Sequence, residues 1–228
     1  MSPLRWLWKS CIERGPVQTA KVAANVFLDL SFDWRYGTDT MRWVPVEHLR
    51  AEATSQAHSA PYQATKVQPL LRLLRDLELP RDCRFLDIGS GKGRVLLIAA
   101  QYGFSKVIGI EFSQELCETA RKNVAIFAAR KPLASPIEVL HVDATSYQFD
   151  PADQVLFMYN PFDGEIMREV LRNVEVSIKA SPRTLWVIYN TPKQLDTVLA
   201  SGLFETCRQV EIGGNRFAIL VHQVRPQA

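Results

Sequence analysis

The chain has 228 residues, of which 47% are hydrophobic and 22% charged, and its formal net charge is +3. These proportions are typical of a globular protein, exclude disordered, collagen-like and coiled-coil architectures, and allow one α/β domain with an appendage or two small domains. The small excess of base does not indicate a dedicated nucleic-acid binder, which concentrates positive charge on one face. The four cysteines and four histidines are scattered along the chain. The sequence therefore predicts no metal site.

The N-terminal segment builds no apolar stretch of the kind found in secretory signals, and the longest apolar runs are well below the ~20 residues that a spanning helix needs. We therefore expect a cytoplasmic protein without a membrane span. Trp6 and Trp8 lie among basic residues, a combination that suits a membrane surface. Gly15 and Pro16 limit that helix to about three turns, which favours packing of the tryptophans on the core or across a dimer contact. The oligomeric state stays open.

The first 80 residues read as short helices separated by loops. Helical spacing of Val17, Ala20, Ala24, Phe27 and Leu28 predicts a helix over 17–30, and the polar, aromatic run 33–40 reads as a loop broken by Gly37. A short helix is expected over 47–56. One apolar face of a further helix, which ends at Pro80, is formed by Leu70, Leu71, Leu74 and Leu77.

From residue 84 onward, strand-like and helix-like runs alternate, which predicts a parallel sheet with helices on both faces. A final pair of strand-like runs is joined by Gly213-Gly214-Asn215, a hairpin turn. We expect a doubly wound α/β sheet of seven strands, its last strand antiparallel, over residues 80–228, with an α-helical extension over 1–79. The predicted strands are 84–88, 106–111, 137–142, 154–159, 184–189, 203–211 and 216–223, and the helices between them are 92–102, 114–130, 163–179 and 192–200.

The main motif of the sequence is Asp87-Ile-Gly89-Ser90-Gly91-Lys-Gly93, directly after the first strand of the sheet. Glycines at these positions let the backbone turn tightly and approach a ligand closely. A Walker phosphate loop is excluded, because it would need a glycine at Leu86 and a hydroxyl at Gly93. A nicotinamide-binding fingerprint is disfavoured, because Arg94 stands where a third glycine is needed and Asp87 would repel a pyrophosphate.

This D-x-G-x-G-x-G pattern resembles motif I of class I S-adenosylmethionine-dependent methyltransferases, and the resemblance covers residues 80–223. It implies a Rossmann-like methyltransferase fold whose motif I residues hold the methionine part of the cofactor, with Asp87 facing its amino group. It further implies that Glu111, at the end of the second strand, accepts the ribose hydroxyls, that Phe112 lies against the adenine, and that Asp143 and Ala144 contact the adenine after the third strand. Taken singly, each acid reads equally as a helix cap or a solvated loop residue.

The fourth strand ends in Tyr159-Asn160-Pro161-Phe162. This tetrad resembles the Asn/Asp-Pro-Pro-Tyr/Phe motif of enzymes that methylate amino nitrogens, with one proline missing. The resemblance implies that the Asn160 amide and the Pro161 carbonyl accept the N–H bonds of the acceptor amine, and that Phe162 lies beside the developing cation. We also expect Asn160 to contact the cofactor. The alternative is a simple turn after a strand.

The variant D-I-G-S-G-K-G-R is similar to the D-L-G-S-G-x-G-R of some protein-lysine methyltransferases outside the SET family, and uncharacterised bacterial methyltransferases share it. Tyr62-Gln-Ala-Thr65 resembles an element, Tyr-x-Pro-[Ser/Thr], that some of these enzymes place near the cofactor, with alanine replacing the proline. We also expect the loop 35–40 to cap the active site, with Tyr36 or Asp39 facing the ligand; the alternative is a plain turn between two helices.

The sequence thus predicts methyl transfer from S-adenosylmethionine to an amine such as a protein lysine. A protein or small-molecule acceptor is favoured over nucleic acid, since basic residues form no tail or patch. RNA as the acceptor and a catalytically idle S-adenosylmethionine-binding subunit remain alternatives. An NAD-dependent oxidoreductase is disfavoured by Asp87 and Arg94.

Overall fold

The computed structural model of the protein describes Ile12 and residues 15–44 and 62–224. The predictions made for the tryptophan-containing segment at the N-terminus and for a helix over 47–56 lie outside these residues. Within them, the strands are β1 Arg84–Ile88, β2 Lys106–Glu111, β3 Ile137–His141, β4 Asp153–Tyr159, β5 Leu185–Asn190, β6 Thr206–Ile212 and β7 Asn215–His222. The helices are α1 Pro16–Tyr36, α2 Val67–Asp76, α3 Arg94–Ala99, α4 Gln114–Arg130, α5 Gly164–Ala180 and α6 Leu195–Ala200.

The strands form a single seven-stranded sheet in the order β3-β2-β1-β4-β5-β7-β6. The pairs from β3 to β5 are parallel, whereas β7 runs antiparallel to both β5 and β6. The predicted Rossmann-like methyltransferase sheet with an antiparallel last strand is confirmed. The Gly213-Gly214 turn has the left-handed φ values of 58° and 75° that a tight hairpin needs.

The sheet is covered on both faces, which explains why its central strands are continuously apolar rather than alternating. Phe85 and Phe157 pack under α2, α3 and α4, whereas their neighbours Leu86, Leu156 and Met158 pack under α5. Successive residues of a strand point to opposite faces, so each central strand contributes to both halves of the core. The edge strand β6 is largely exposed.

Helix α1 differs from its prediction in length and in orientation. It continues to Tyr36 and ends where Gly37 adopts a left-handed conformation, φ 67°, so residues 33–36 are helical and not part of a loop. Phe32 and Tyr36 extend the helix because their rings pack on Phe127 of α4, with centroids 6.1 and 4.4 Å away. The apolar residues that predicted the helix, however, lie on its exposed side.

Among the described residues, no helix is both long and apolar enough to cross a bilayer.

Candidate functional site

A cleft opens at the carboxyl ends of the neighbouring central strands β1 and β4. From this pair the strand order continues outward in opposite directions, through β2 to β3 on one side and through β5 on the other. Ligands of doubly wound folds bind at this switch point. The cleft contains about 920 Å³ of empty space, its open mouth included. It is lined by Tyr62, Gln63, Thr65, Asp87, Gly89, Ser90, Gly91, Arg94, Val95, Ile110, Glu111, Phe112, Leu116, Val142, Asp143, Ala144, Phe157, Tyr159, Asn160, Pro161, Phe162 and Ile166.

The glycine-rich loop is packed so tightly that two of its glycines have no room for a side chain. A Cβ on Gly91 would lie 2.2 Å from the Tyr62 ring, and a Cβ on Gly89 would lie 2.9 Å from the Pro161 side chain. Both glycines also have positive φ values, 53° and 77°, which L side chains rarely adopt. Gly93 ends the loop in the same left-handed conformation and begins α3, and it does not line the cleft.

Two carboxylates that follow β1 and β2 are buried in the wall of the cleft. Each oxygen of Glu111 accepts one backbone N–H at 2.9 Å, from Gly91 and from Ser113. No described residue donates a hydrogen bond to Asp87. Burial, and then repulsion by Glu111, hold the pKa of Asp87 well above its usual value, and burial also raises the pKa of Glu111 against the opposing effect of its backbone hydrogen bonds. A carboxylate buried in this way favours a cationic or hydrogen-bond-donating ligand.

The loops after β2 and β3 form the far side of the cleft, where Phe112, Asp143 and Ala144 are half-buried. Asp143 Oδ1 accepts hydrogen bonds from the backbone N–H and the hydroxyl of Thr145, at 2.8 and 2.6 Å. His141 bonds the carbonyl of Phe112 at 2.9 Å through its ring Nε2. The bonds to Thr145 shape the loop after β3, and the bond from His141 joins the end of β3 to the loop after β2.

The loop after β4 packs directly on the glycine-rich loop through the contact of Pro161 with Gly89. Asn160 is held in the left-handed region, φ 42°, which asparagine tolerates better than most residues. Its Oδ1 accepts a 3.4 Å hydrogen bond from the buried Tyr189 hydroxyl. Phe162 lines the cleft and also packs in the core beneath α5, where it is only 9% exposed.

The N-terminal extension reaches the cleft through Tyr62, Gln63 and Thr65, and not through the loop after α1. Tyr36 packs on Phe127, and Asp39 accepts a 3.0 Å bond from the Lys92 ammonium on the outer side of the glycine-rich loop. The expectation that Tyr36 or Asp39 faces the ligand is therefore corrected: neither side chain lines the cleft. The Tyr62 hydroxyl instead donates to the Thr40 carbonyl, which ties the segment that lines the cleft to that loop.

Arg94, the first residue of α3, joins the extension to the glycine-rich loop. Its guanidinium is 2% exposed. Its Nε donates to the Thr40 hydroxyl at 2.7 Å, and its terminal nitrogens donate to Asp29 and Asp33 at 3.2–3.4 Å. Asp33 in turn accepts from the backbone N–H groups of Thr40 and Met41, and Asp29 from that of Val67. One buried cation thus holds both α1 and the start of α2.

The structure brings most of the residues predicted from the sequence into one cleft. Those that line it are Asp87, Gly89, Ser90, Gly91, Glu111, Phe112, Asp143, Ala144, Asn160, Pro161, Phe162, Tyr62 and Thr65. Sequence reasoning missed Gln63 and Tyr159, although both stand inside motifs it had singled out. It also missed the anchoring role of Arg94, for which no local pattern exists, because its partners lie 54–65 residues away.

Among the described residues, no group of three or more histidine, cysteine, aspartate or glutamate side chains could hold a metal ion.

Residues 85–180 match the family model of a methyltransferase domain. No curated protein sequence is significantly similar to that of the chain. Solved structures with the same fold include an S-adenosylmethionine-dependent O-methyltransferase from Thermotoga maritima, with a TM-score of 0.57 and 14% identity over 73% of this chain and 69% of that one. Another is an RNA methyltransferase from Salinibacter ruber in complex with S-adenosyl-L-homocysteine, with a TM-score of 0.51 and 18% identity over 72% and 96% of the two chains. At these identities the likeness concerns the fold.

Proposed function

We propose that the protein is an S-adenosylmethionine-dependent methyltransferase, that it methylates an amine nitrogen and that the acceptor is a lysine side chain of a protein. The match of residues 85–180 to a methyltransferase domain supports the first part of this proposal. The observation that carries this proposal is the contact between Pro161 and Gly89. Through this contact the amide of Asn160 stands beside the loop that begins at Asp87, so an amine bound by Asn160 would face the cofactor.

The residues of the cleft fit the chemistry of this cofactor, which when bound supplies an electrophilic methyl group on a sulfonium. Glu111 uses one lone pair of each oxygen for a backbone N–H, so each oxygen can still accept one ribose hydroxyl. Asp87, without a donor among the described residues, would pair with the amino group. Phe112, Asp143 and Ala144 would contact the adenine. Gly89 and Gly91, together with Ser90, would let the backbone approach the methionine part.

On the acceptor side, the residues around Asn160 suit a long aliphatic stem with an amine at its end. Phe162, Ile166 and Pro161 are apolar and would contact the methylene groups of a lysine. The Asn160 Oδ1 and the Pro161 carbonyl would accept the N–H bonds of the neutral amine and aim its lone pair along the line of displacement. Burial raises the pKa of Tyr159 above its usual value, so its hydroxyl stays neutral and can add a further hydrogen bond.

The chemistry rests on orientation rather than on a general base. No described residue that lines the cleft is a histidine or a lysine. The amine would therefore arrive neutral, and its proton would leave to water at the open mouth. Positioning of this kind contributes several powers of ten to a bimolecular reaction.

The test combines calorimetry with methyl labelling. Purified protein and tritiated S-adenosylmethionine are added to a lysate of cells that lack the protein, which is then separated into protein, RNA and small molecules. We expect label on protein lysines. Asn160→Ala should reduce labelling about 100-fold and S-adenosylmethionine affinity by no more than about tenfold. Asn173→Ala is the matched control, because that amide bonds the Thr145 carbonyl outside the cleft.

Each outcome has a distinct meaning. Label found only on RNA or on small molecules would contradict the lysine acceptor. Tight cofactor binding with no label in any fraction would contradict methyl transfer and indicate an idle binding subunit. Equal loss of labelling in both variants would remove the role proposed for Asn160.

A further inference from the structure

Helix α1 exposes large apolar side chains on the side that does not pack on the described part of the protein. Thr19, Asp29 and Phe32 face the core, and Asp33 and Tyr36 lie half-buried beside them. The opposite side exposes Val17, Phe27 and Trp34 by 69%, 71% and 85%, and Leu28 and Leu30 flank them. An apolar helix face is normally covered by another element. We call this side, residues 17, 20, 24, 27, 31 and 34, of which Ser31 is half-buried, the outer stripe of α1.

The spacing of the outer stripe is that of a helix that packs along another helix. Its positions alternate by three and four residues over two and a half heptads, the a and d positions of a coiled coil. They are occupied by Val17, Ala20, Ala24, Phe27, Ser31 and Trp34. Leu28 and Leu30 occupy the adjoining e and g positions, where they widen the apolar surface.

We propose that the outer stripe pairs with the outer stripe of a second copy of the chain, antiparallel, across a two-fold axis. In that arrangement residue i faces residue 51 − i, so that Phe27 faces Ala24, Trp34 faces Val17 and Ser31 faces Ala20. Every large side chain meets a smaller one, as good packing of facing positions requires. A parallel pair would set Trp34 on Trp34 and Ala24 on Ala24, leaving crowding at one end and a gap at the other.

The available area is sufficient for such a pair. An aromatic side chain buries roughly 150–250 Å², so Phe27 and Trp34 of two copies supply roughly 600–1,000 Å². Val17, Leu28 and Leu30 bring the total into the range of about 1,200 Å² at which stable interfaces begin. The two-fold arrangement is closed, since the same surface serves both copies.

A lipid surface fits the outer stripe less well. A helix that lies in a membrane interface turns a face rich in lysine and arginine toward the headgroups. The face of α1 opposite to the outer stripe carries Asp29 and Asp33 instead, and both are bound to Arg94 within the protein. This proposal is independent of the methyl acceptor and of the activity.

Sedimentation of the full chain at about 1–100 μM tests the pairing. Wild type should be a dimer. Phe27→Glu and, separately, Trp34→Glu should weaken association about 100-fold or more, because each places two charges in the apolar interface. Both side chains are exposed in the single chain, so the urea midpoint of the monomer should change little. Val176→Glu, at a residue 67% exposed on α5, should remain a dimer.

Disulfide crosslinking tests the orientation. In chains with Cys11→Ser and Cys207→Ser, differently tagged Ala24→Cys and Phe27→Cys proteins should crosslink to one another and not to themselves. Self-crosslinking of Ala24→Cys would overturn the antiparallel arrangement. A wild type that stays monomeric at 100 μM would overturn the proposal, whether the outer stripe then proves to bind vesicles of anionic lipid or to be covered by other residues of its own chain.

Discussion

Arg94 offers the sharpest test of how the N-terminal extension is held on the methyltransferase domain. Its guanidinium is buried between Asp29 and Asp33 and also donates to the Thr40 hydroxyl. Arg94→Met keeps the length and most of the volume of the side chain, but it removes every donor. Two aspartates would then stand in a poorly solvated site without their cation.

The expected cost is large, because removal of one partner leaves the others charged and buried. Breaking a buried ion pair from one side costs about 3–5 kcal/mol. With a urea dependence of about 3 kcal/mol per molar, the unfolding midpoint should fall by about 1–1.7 M. Arg94→Lys should recover only part of this loss, because one ammonium cannot bond two carboxylates and a hydroxyl at the positions that the planar guanidinium reaches.

The assay is urea unfolding followed by circular dichroism, with Arg72→Met as the control. Arg72 also pairs with an aspartate, Asp76, but both side chains are more than half exposed, so its loss should cost no more than about 0.5 kcal/mol. If Arg94→Met lay within about 1 kcal/mol of Arg72→Met, the contacts of Arg94 would not be what holds α1 in place.

Three further results are expected. Gly91→Ala should lower S-adenosylmethionine affinity in calorimetry at least tenfold, because the added Cβ would collide with the Tyr62 ring. Gly202 is the control, because it also has a positive φ value but stands in open space. Gly202→Ala should cost only about 1–2 kcal/mol of stability and leave the affinity unchanged. Wild-type affinity should rise with pH above the range in which an ordinary aspartate titrates, because the raised pKa of Asp87 keeps it protonated there and only the ionised form pairs with a cation. Asp87→Asn should flatten this profile. Tyr62→Phe should cost about 1 kcal/mol in urea unfolding through loss of the hydrogen bond to Thr40, and no change would mean that this bond contributes nothing.

The sheet could be predicted from the sequence almost residue by residue. The bounds of β1 and β2 coincide with the prediction, because strands buried on both faces are short apolar runs ended by glycine, serine or a charged residue. The cleft residues that follow these strands could be predicted for the same reason, since the carboxyl ends of parallel strands meet at one edge.

The extension could not be predicted with the same success, because its geometry depends on distant partners. Helical spacing revealed α1 but not which of its two apolar sides faces the core. That choice is made by Asp29 and Asp33, whose partner Arg94 lies more than sixty residues away. Similarly, the sequence gives no reason to prefer Tyr62 over Tyr36 as a residue of the cleft, since both are tyrosines that precede the first strand. The packing of the Tyr62 ring on Gly91, which the structure shows, makes this distinction.

The charges around the glycine-rich loop are separated in a way that bears on the ligand. Both cations of the loop are paired with acids of the extension, Lys92 with Asp39 and Arg94 with Asp29 and Asp33. The carboxylates of Asp87 and Glu111 face the cleft, and no described cation pairs with either. A pyrophosphate would meet two buried acids and no partner, since the basic residues nearest to it are already bound. A ligand that carries its own positive charge relieves the repulsion between the two carboxylates. The three aspartates of the extension therefore favour a cationic ligand over an anionic one, because they neutralise the two cations of the loop.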